Sequence, residues 1–368
     1  MIKTFCCMSR DDFDKPFPYF RKPVENGYFS KDRAGTFLHD KSLLRFYYVP
    51  NNYENVCFDL KRGYRNLIKK DETKKEYLDD LLRWVMLNYK KFQLEVENDV
   101  GKTQFTSLHT DFICWRGLLT KLLCTPFENR DDWCIAVCLF NGTYYLCEFD
   151  TEKKEREKRS MSDRQDEMCY WGWKFEQYVT ADKPDGKPNT SQPVNNNEAF
   201  CTVVRTRLTS HSLVFGGEVD AVDPRSAGVR QYVEMKTTRE IDTHRQMENF
   251  KRFKLIKWWA QSFLVGITKI VCGYRDDDGV VHRIEEMDVP KLPDMAKNLR
   301  DPWNPAICFN FLDQFLQFIK NIVKVDDPQI VYLCRWSPHK DITCSRLEPD
   351  SSFVFLPKWF TEWNVWKK

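Results

Sequence analysis

Two short segments near the middle of the chain constrain it most: Gly216-Gly217-Glu218-Val219-Asp220-Ala221-Val222-Asp223 and Tyr232-Val233-Glu234-Met235-Lys236-Thr237. Both read as strands, and side chains alternate along a strand. Glu218 and Asp220 then share one face, opposite Val219 and Ala221. In the second segment Glu234 and Lys236 share a face, while Val233 and Met235 point into a core. The connection is short enough for the two strands to be antiparallel neighbours, which brings three carboxylates and one ammonium to one patch. Such a patch repels itself unless a cation holds it, and Mg²⁺ or Mn²⁺ with oxygen ligands meets that need. Ions of this kind polarise a phosphoryl oxygen, activate water and can act in pairs. Lys236 would add positive charge where negative charge builds. The plainer alternative is a surface hairpin whose charges pair across strands. Glu-x-Lys alone is common, and these two segments by themselves leave the two readings at similar odds.

The rest of the chain narrows the class. It has 368 residues, 42% apolar and 30% charged, enough for a sizeable core and a solvated surface. That excludes a disordered, collagenous or small stapled protein. A net charge of +3 excludes a protein that holds nucleic acid by bulk charge, but leaves room for a local basic groove. The start lacks the apolar core of a secretory signal, and no run is long enough to span a bilayer. The expectation is an intracellular protein, cytosolic or nuclear, with no membrane contact. Its 14 cysteines then read as reduced thiols, many of them buried. There is no Cys-x-x-Cys pair, and Cys134 and Cys138 have no histidine at zinc-site spacing, so no structural zinc is expected.

Residues 1–55, rich in proline, aromatics and charge, read as an ordered arm packed over a core. Residues 69–92 read as a helix, with Leu78, Leu81, Leu82, Val85 and Tyr89 on one face. Asn141-Gly142 marks a hairpin within 133–149. The mixed-charge run 151–167 reads as a solvated loop or hairpin tip, and 182–198 as a polar loop. Strands are expected at 201–208, 212–222 and 230–237, with a turn at 223–228, and a further pair around Asp277-Asp278-Gly279. Helices are expected at 243–265 and 309–323, and a last strand from Ile330. Strands and helices mix without a βαβ rhythm, which gives a single α+β domain on mixed sheets over residues 1–368.

Three further segments bear on the acidic patch. Trp171-Gly172-Trp173-Lys174-Phe175-Glu176 sets another carboxylate beside a glycine and aromatics; a cap or surface salt bridge would be the ordinary explanation. Arg116, between bulky apolar residues, needs an anion, and phosphate suits its fork, although a structural carboxylate partner is commoner. Residues 251–259 hold four cations and no acid. Lys254, Lys257 and Gln261 fall on one helical stripe able to track a phosphate backbone, while Trp258, Trp259 and Phe263 read as core.

An aspartate followed after a gap by Glu-x-Lys on adjacent strands resembles the restriction-endonuclease-like nucleases. Taken together, Trp115-Arg116-Gly117, Gly172-Trp173-Lys174-Phe175-Glu176, Glu218-Val219-Asp220, Glu234-Met235-Lys236 and Trp259-Ala260-Gln261-Ser262-Phe263-Leu264-Val265-Gly266 resemble the DXO family of decapping exoribonucleases. That family includes the nuclear partner of the yeast exonuclease. The likeness is dense over a motif-bearing core at 112–267 and looser in the N-terminal arm. Any one motif is weak; five in order are specific. The resemblance implies two mixed sheets flanked by helices around a deep pocket. It implies a metal-dependent hydrolase of RNA 5′ ends, which removes incomplete, unmethylated or NAD-type caps or releases pyrophosphate from 5′-triphosphate RNA, with 5′–3′ exoribonuclease activity. Two Mg²⁺ or Mn²⁺ ions would be held by Glu176, Glu218, Asp220, Glu234 and the carbonyl of Met235. Lys236 and Gln261 would contact the scissile phosphate and water, and Arg116 an RNA phosphate. Glu218, Cys201, Arg45 and Glu76 are carried over as further substrate contacts. The resemblance favours the nucleus and admits a 5′–3′ exoribonuclease as partner. The competing readings are a catalytically dispensable partner that stabilises such an exonuclease, and a DNA nuclease on the same core. The intact acidic set speaks against the first.

Overall fold

The computed structural model describes residues 2–92, 107–226 and 231–364. Two mixed sheets organise it, one of ten strands and one of seven. The ten-stranded sheet is centred on Trp133–Phe140, Thr143–Phe149, Phe112–Trp115, His211–Glu218, Ala199–Leu208 and Val24–Lys31, in that spatial order. Trp133–Phe140 is apolar almost throughout because both of its faces are covered. The expected hairpin forms: Asn141 and Gly142 both take positive φ, 48° and 74°, the conformation a two-residue turn of this kind demands. The seven-stranded sheet runs through Val280–Asp288, Lys269–Arg275, Tyr232–Arg239 and Ala221–Val222. Tyr232–Arg239 and Lys269–Arg275 are parallel, which requires the helical crossover that lies between them.

The two acidic segments are antiparallel neighbours over only two residue pairs, Ala221 with Val233 and Val222 with Tyr232. His211–Glu218 belongs instead to the larger sheet, where it pairs with Ala199–Leu208. The chain changes sheets across Val219-Asp220, because Val219 is buried in the main core and Ala221 under the smaller sheet. Ala227, Gly228 and Arg230 of the expected turn and strand lie outside the described residues.

Helix Asp79–Leu87 buries Leu81, Leu82, Trp84 and Val85 on the ten-stranded sheet. Helix Asp163–Val179 buries Trp171, Phe175 and Val179 on Val233, Met235 and Val271 of the other. Helix Arg116–Cys124 packs on both Leu255–Leu264 and Pro305–Ile322 in the main core.

Several expectations need correction. The helix expected over 69–92 starts only at Asp79, because 69–76 is polar and has no face to bury. The charge run 151–167 is not a loop. Glu152–Arg159 is a helix capped by the Thr151 hydroxyl, with acids in its first turn and bases in its last, as the helix dipole favours. Asp163–Val179 then starts from a Ser162–Gln165 capping box. Residues 1–55 are not an arm laid over the core: Ile2–Phe5 and Val24–Lys31 are strands of the larger sheet, and Phe46–Tyr47 of the smaller. The cysteines are not all reduced either. Cys334 and Cys344 face each other on paired antiparallel strands and form a disulfide. The helix expected at 243–265 is His244–Asn249 and Leu255–Leu264 joined through a π-helical turn, Phe250–Lys254.

Candidate active site

The site forms where the chain passes between the sheets. Glu218 is the last residue of its strand, and Asp220 lies in the crossing. Glu234 and Lys236 project from a strand interior to the smaller sheet. Glu176 occupies the last turn of the helix that covers that strand, with its carbonyl accepting from the Thr180 hydroxyl at 2.7 Å. Gln261 comes from Leu255–Leu264, and Arg116 from the first residue of its helix.

Contacts among these residues are direct. Asp220 Oδ2 accepts from the Met235 N–H at 2.6 Å, which sets the Met235 backbone beside that carboxylate. Lys236 Nζ and Gln261 Nε2 both donate to Glu234 Oε1, at 2.6 and 2.5 Å. The buried Arg116 guanidinium donates to the carbonyls of Glu218, at 2.9 Å, and Gln261, at 3.2 Å. It stands 3.9 Å from Glu234 Oε2, beyond hydrogen-bond range. Glu234 is 2% exposed, and its Oε2 has no hydrogen-bond partner among the described residues. A buried carboxylate oxygen left in that state is costly, and it invites a ligand or an ion.

The glycine pair makes this packing possible. A Cβ at Gly216 would sit 2.6 Å from the Trp115 ring, and one at Gly217 would sit 3.2 Å from the Arg116 Cβ. The Trp115 indole N–H donates to the Tyr77 carbonyl at 2.7 Å, which fixes the ring beside the arginine.

Electrostatics agree with the crowding. Burial, then Asp220 and Glu218, hold the Glu176 carboxyl well above its ordinary range. Burial and then Glu234 push Asp220 up to about 8. Burial raises Glu218 as well, although Arg116 opposes it; the residue is nonetheless exposed where the two cavities meet. For Lys236 burial works against the charge, but Glu234 and Asp220 outweigh it and keep the ammonium. Without added positive charge, part of this set holds protons at neutral pH. Among the described residues no three acidic, histidine or cysteine side chains already stand around a common ion position. Lys236 and Gln261 hold one oxygen of Glu234, and Met235 holds one of Asp220. The case that these residues fit a divalent cation therefore rests on the all-oxygen donor set, the mutual repulsion and the partnerless Oε2.

Two cavities meet at Glu218. The larger, about 650 Å³, is lined by Trp115, Arg116, Lys257 and Gln261 among others. The smaller, about 330 Å³, is lined by Arg45, Trp173, Glu176 and Asp220. Arg45 lies on its rim, paired with Asp182 and donating to the Thr180 hydroxyl at 3.3 Å. Glu76 bonds Lys31 at 2.7 Å and Lys70 at 2.5 Å, and faces a separate cavity of about 230 Å³ behind Trp115. Cys201 is paired in register with Glu218, but its thiol is buried in the apolar core and lines neither cavity. On the expected basic stripe, Lys254 bonds the Thr238 hydroxyl and Lys257 is held by Glu128 and Asp131. Arg33 and Lys70, which also line the smaller cavity, escaped notice because both sit in irregular segments with no periodicity.

An interior strand carrying Glu-x-Lys, an aspartate in the crossing before it and a helix supplying a further acid define a nuclease of the PD-(D/E)XK class. The chain belongs to the RAI1-like PD-(D/E)XK nuclease family, whose model matches residues 21–361. It is 40% identical over 355 residues to a decapping and exoribonuclease protein of Homo sapiens, covering 95% of this chain and 87% of that one. It is 38% identical over 351 residues to one of Xenopus laevis, covering 94% and 86%. Among solved structures, Scheffersomyces stipitis Rai1 in complex with (3′-NADP)⁺ and calcium ion superposes with a TM-score of 0.81 at 25% identity, over 98% and 99% of the two chains. Candida albicans Rai1 in complex with pU5-Mn²⁺ gives 0.83 at 24%, over 99% and 98%, and supports the fold. The expected restriction-endonuclease-like α+β architecture is the one found.

Proposed function

We propose that the chain, acting as one nuclease domain, hydrolyses RNA 5′ ends, removing incomplete, unmethylated or NAD-type caps or pyrophosphate and then degrading the body 5′ to 3′. The observation that carries this is the Glu176, Glu218, Asp220 and Glu234 set, with one orphaned carboxylate oxygen, at the junction of two cavities. The decapping and exoribonuclease relatives, aligned over nearly the whole chain, support it. Those four carboxylates and the Met235 carbonyl would hold Mg²⁺ or Mn²⁺, as two ions, and the bound metal supplies Lewis acidity at the phosphoryl oxygen. Lys236 Nζ, already anchored on Glu234, places positive charge beside the reacting phosphate. Gln261 shares that anchor and orients water or a phosphoryl oxygen. Arg116, tied to two carbonyls, presents its remaining N–H groups to a phosphate. The water oxygen bonds to phosphorus, the bond from phosphorus to the departing oxygen breaks, and a water proton passes to that oxygen. Arg45, Glu76 and Cys201 belong to the same proposal: Arg45 would meet substrate in the smaller cavity, Glu76 only where substrate reaches the cavity behind Trp115, and Cys201, whose thiol lines neither cavity, would act through Glu218 as a positioning residue. Nuclear residence and a companion 5′–3′ exoribonuclease belong to the same proposal, and fractionation and co-purification test them.

The deciding experiment incubates the protein with triphosphate-, unmethylated-cap- and NAD-capped RNA, with and without EDTA. Metal-dependent product from at least one end is expected. Absence of product from all three would falsify the proposal, and full biological function in a Glu234→Ala protein would favour a non-catalytic partner.

A further inference from the structure

Lys121, Lys153, Lys154 and Lys257 line the larger cavity, and carboxylates hold each of them. Unmatched positive charge gathers instead at the opposite end of the ten-stranded sheet. Cys201 pairs with Glu218 and Leu208 with His211, so Ala199–Leu208 runs from the carboxylates to that far end. Side chains alternate along it. Val204 and Leu208 enter the main core, which sends Arg205 and Arg207 to the other face, in one row with Cys201 and Val203. Arg21 lies opposite Arg207, its N–H donating to the Arg207 carbonyl at 2.9 Å. Phe20 bridges to Leu208 and packs on Phe263 and Phe309 in the core. By alternation Tyr19 and Arg21 then share the face of Arg205 and Arg207. The apolar cover of this row ends at Arg205, whose guanidinium stands 5.9 Å from the Phe92 ring.

Tyr19, Arg21 and Arg207 are exposed, and Arg205 is half-buried. No carboxylate among the described residues pairs with any of the three arginines. Arg205 donates to the His109 carbonyl at 3.0 Å and Arg207 to that of Ser210 at 3.4 Å. Like charges directly opposite each other on paired strands cost stability. Burial, then Arg21 and Arg207, hold the Arg205 guanidinium below its ordinary value. Glu25 gives no relief, because it is turned to the opposite face and accepts from the Thr202 and Tyr232 hydroxyls there. An anion from outside would relieve the crowding. A phosphate backbone suits the patch better than an acidic peptide on two counts. Arg205 and Arg207 are two strand residues apart, about 7 Å, near the step between successive phosphates of an extended strand. Beside them Tyr19, 61% exposed, offers a ring on which any base can stack.

We propose that Tyr19, Arg21, Arg205 and Arg207 form a docking surface for the body of a single-stranded RNA, remote from the chemistry. Arg207 lies six residues beyond Cys201, so the patch is about 20 Å along the strand from Glu218. An RNA confined to the two cavities does not reach it, and a longer one does after leaving the cleft. The proposal goes beyond the 5′-end reading, and binding in EDTA tests it without turnover.

The test is fluorescence anisotropy of labelled, unstructured RNA in EDTA over a salt series. The proteins are wild type, Arg21→Gln with Arg207→Gln, the same pair changed to Lys, and Tyr19→Ala. Each lost contact to a single-strand phosphate flattens the plot of log affinity against log salt by about 0.7, so the Gln pair should flatten it by about 1.4 and weaken a long RNA about tenfold at low salt. The Lys pair should keep the wild-type slope. Tyr19→Ala should weaken the long RNA and leave the slope unchanged, which keeps the test open if the Gln pair fails to fold. An oligonucleotide too short to leave the cavities should bind all four proteins alike. Unchanged affinity and slope in the Gln pair, or equal weakening of short and long RNA, overturns the proposal. Wild-type binding of polyglutamate that the Gln pair loses, with RNA binding unchanged, overturns it in favour of an acidic peptide. None of these outcomes bears on 5′-end hydrolysis, which the cleavage experiment above decides alone.

Discussion

Truncating Glu234 to alanine removes a carboxylate whose Oε2 has no hydrogen-bond partner among the described residues and which repels Asp220, but it also takes away the acceptor that Lys236 and Gln261 share. The metal-free fold gains relief from that repulsion and loses those two bonds, so it should melt close to wild type, while turnover should be largely lost because the proposed ion loses a ligand. Thermal unfolding in EDTA beside kcat in Mn²⁺ reads both, and a large drop in melting temperature would make Glu234 a structural residue instead. Gly216→Ala works the other way. Its Cβ would meet the Trp115 ring at 2.6 Å, and that ring is pinned by the Tyr77 carbonyl. Overpacking of this kind costs about 1–3 kcal/mol. Because Arg116 follows Trp115, activity should fall together with stability in a urea titration; unchanged stability would mean that the ring moves freely. The shared face of Glu234 and Lys236 was legible from strand alternation, whereas their proposed role needed the other motifs. Glu176 was not legible in that way, because one carboxylate in a helix has no pattern of its own, and it emerged only from the ordered set of motifs. The burial of Cys201 and the displacement of Glu76 to another cavity depend on pairings between distant segments that no local spacing reveals.

Between elements, the turn after Val222 is locked by a charge network. Asp223 accepts from Arg225 at 2.9 and 2.8 Å and from Lys269 at 3.0 Å, and both cations reach Glu286. Burial alone would raise the Asp223 carboxyl, but the Arg225 and Lys269 bonds outweigh it and hold it far below the ordinary 3.8. A folded-state pKa below the unfolded one stabilises the fold above the unfolded value, and the benefit fades as pH falls below about 4 toward the folded value. Asp223→Asn should then cost about 2 kcal/mol at pH 7, in the range for hydrogen bonds to charged groups, and less at pH 3. Urea unfolding of both proteins at the two pH values measures this; a loss independent of pH would locate the effect in packing. The hairpin at Asn141-Gly142 was readable because its turn chemistry is local. Glu152–Arg159 was misread because a helix with no apolar face leaves only its cap and end charges as signal. The Cys334–Cys344 bond was unreadable because it depends on strand register.

The two sheets were foreseen through the motif set and not through strand pairing, since partners such as Val24–Lys31 and Ala199–Leu208 lie far apart in the chain. That architecture makes the proposed metal a link between layers. Glu218 ends a strand of one sheet, Glu234 belongs to the other, and Glu176 rides on the helix covering the second. A cation shared by these groups binds the folded chain and has no preformed site in the unfolded one. It also offsets the burial and mutual repulsion that raise the Asp220 and Glu176 carboxyls. At about a hundredfold excess over its dissociation constant, such an ion adds about 2.7 kcal/mol to folding. With an unfolding entropy of about 2.1 cal/mol/K per residue, a chain of 368 residues should then gain about 3–4 °C in melting temperature. Thermal scans with Mn²⁺ against EDTA at pH 7 provide the measurement, and Glu234→Ala provides the control, since it removes the ligand from the smaller sheet. A Mn²⁺ shift equally large in Glu234→Ala would place the ion elsewhere. No shift in wild type at saturating Mn²⁺ would mean that the carboxylates relieve their crowding with protons alone.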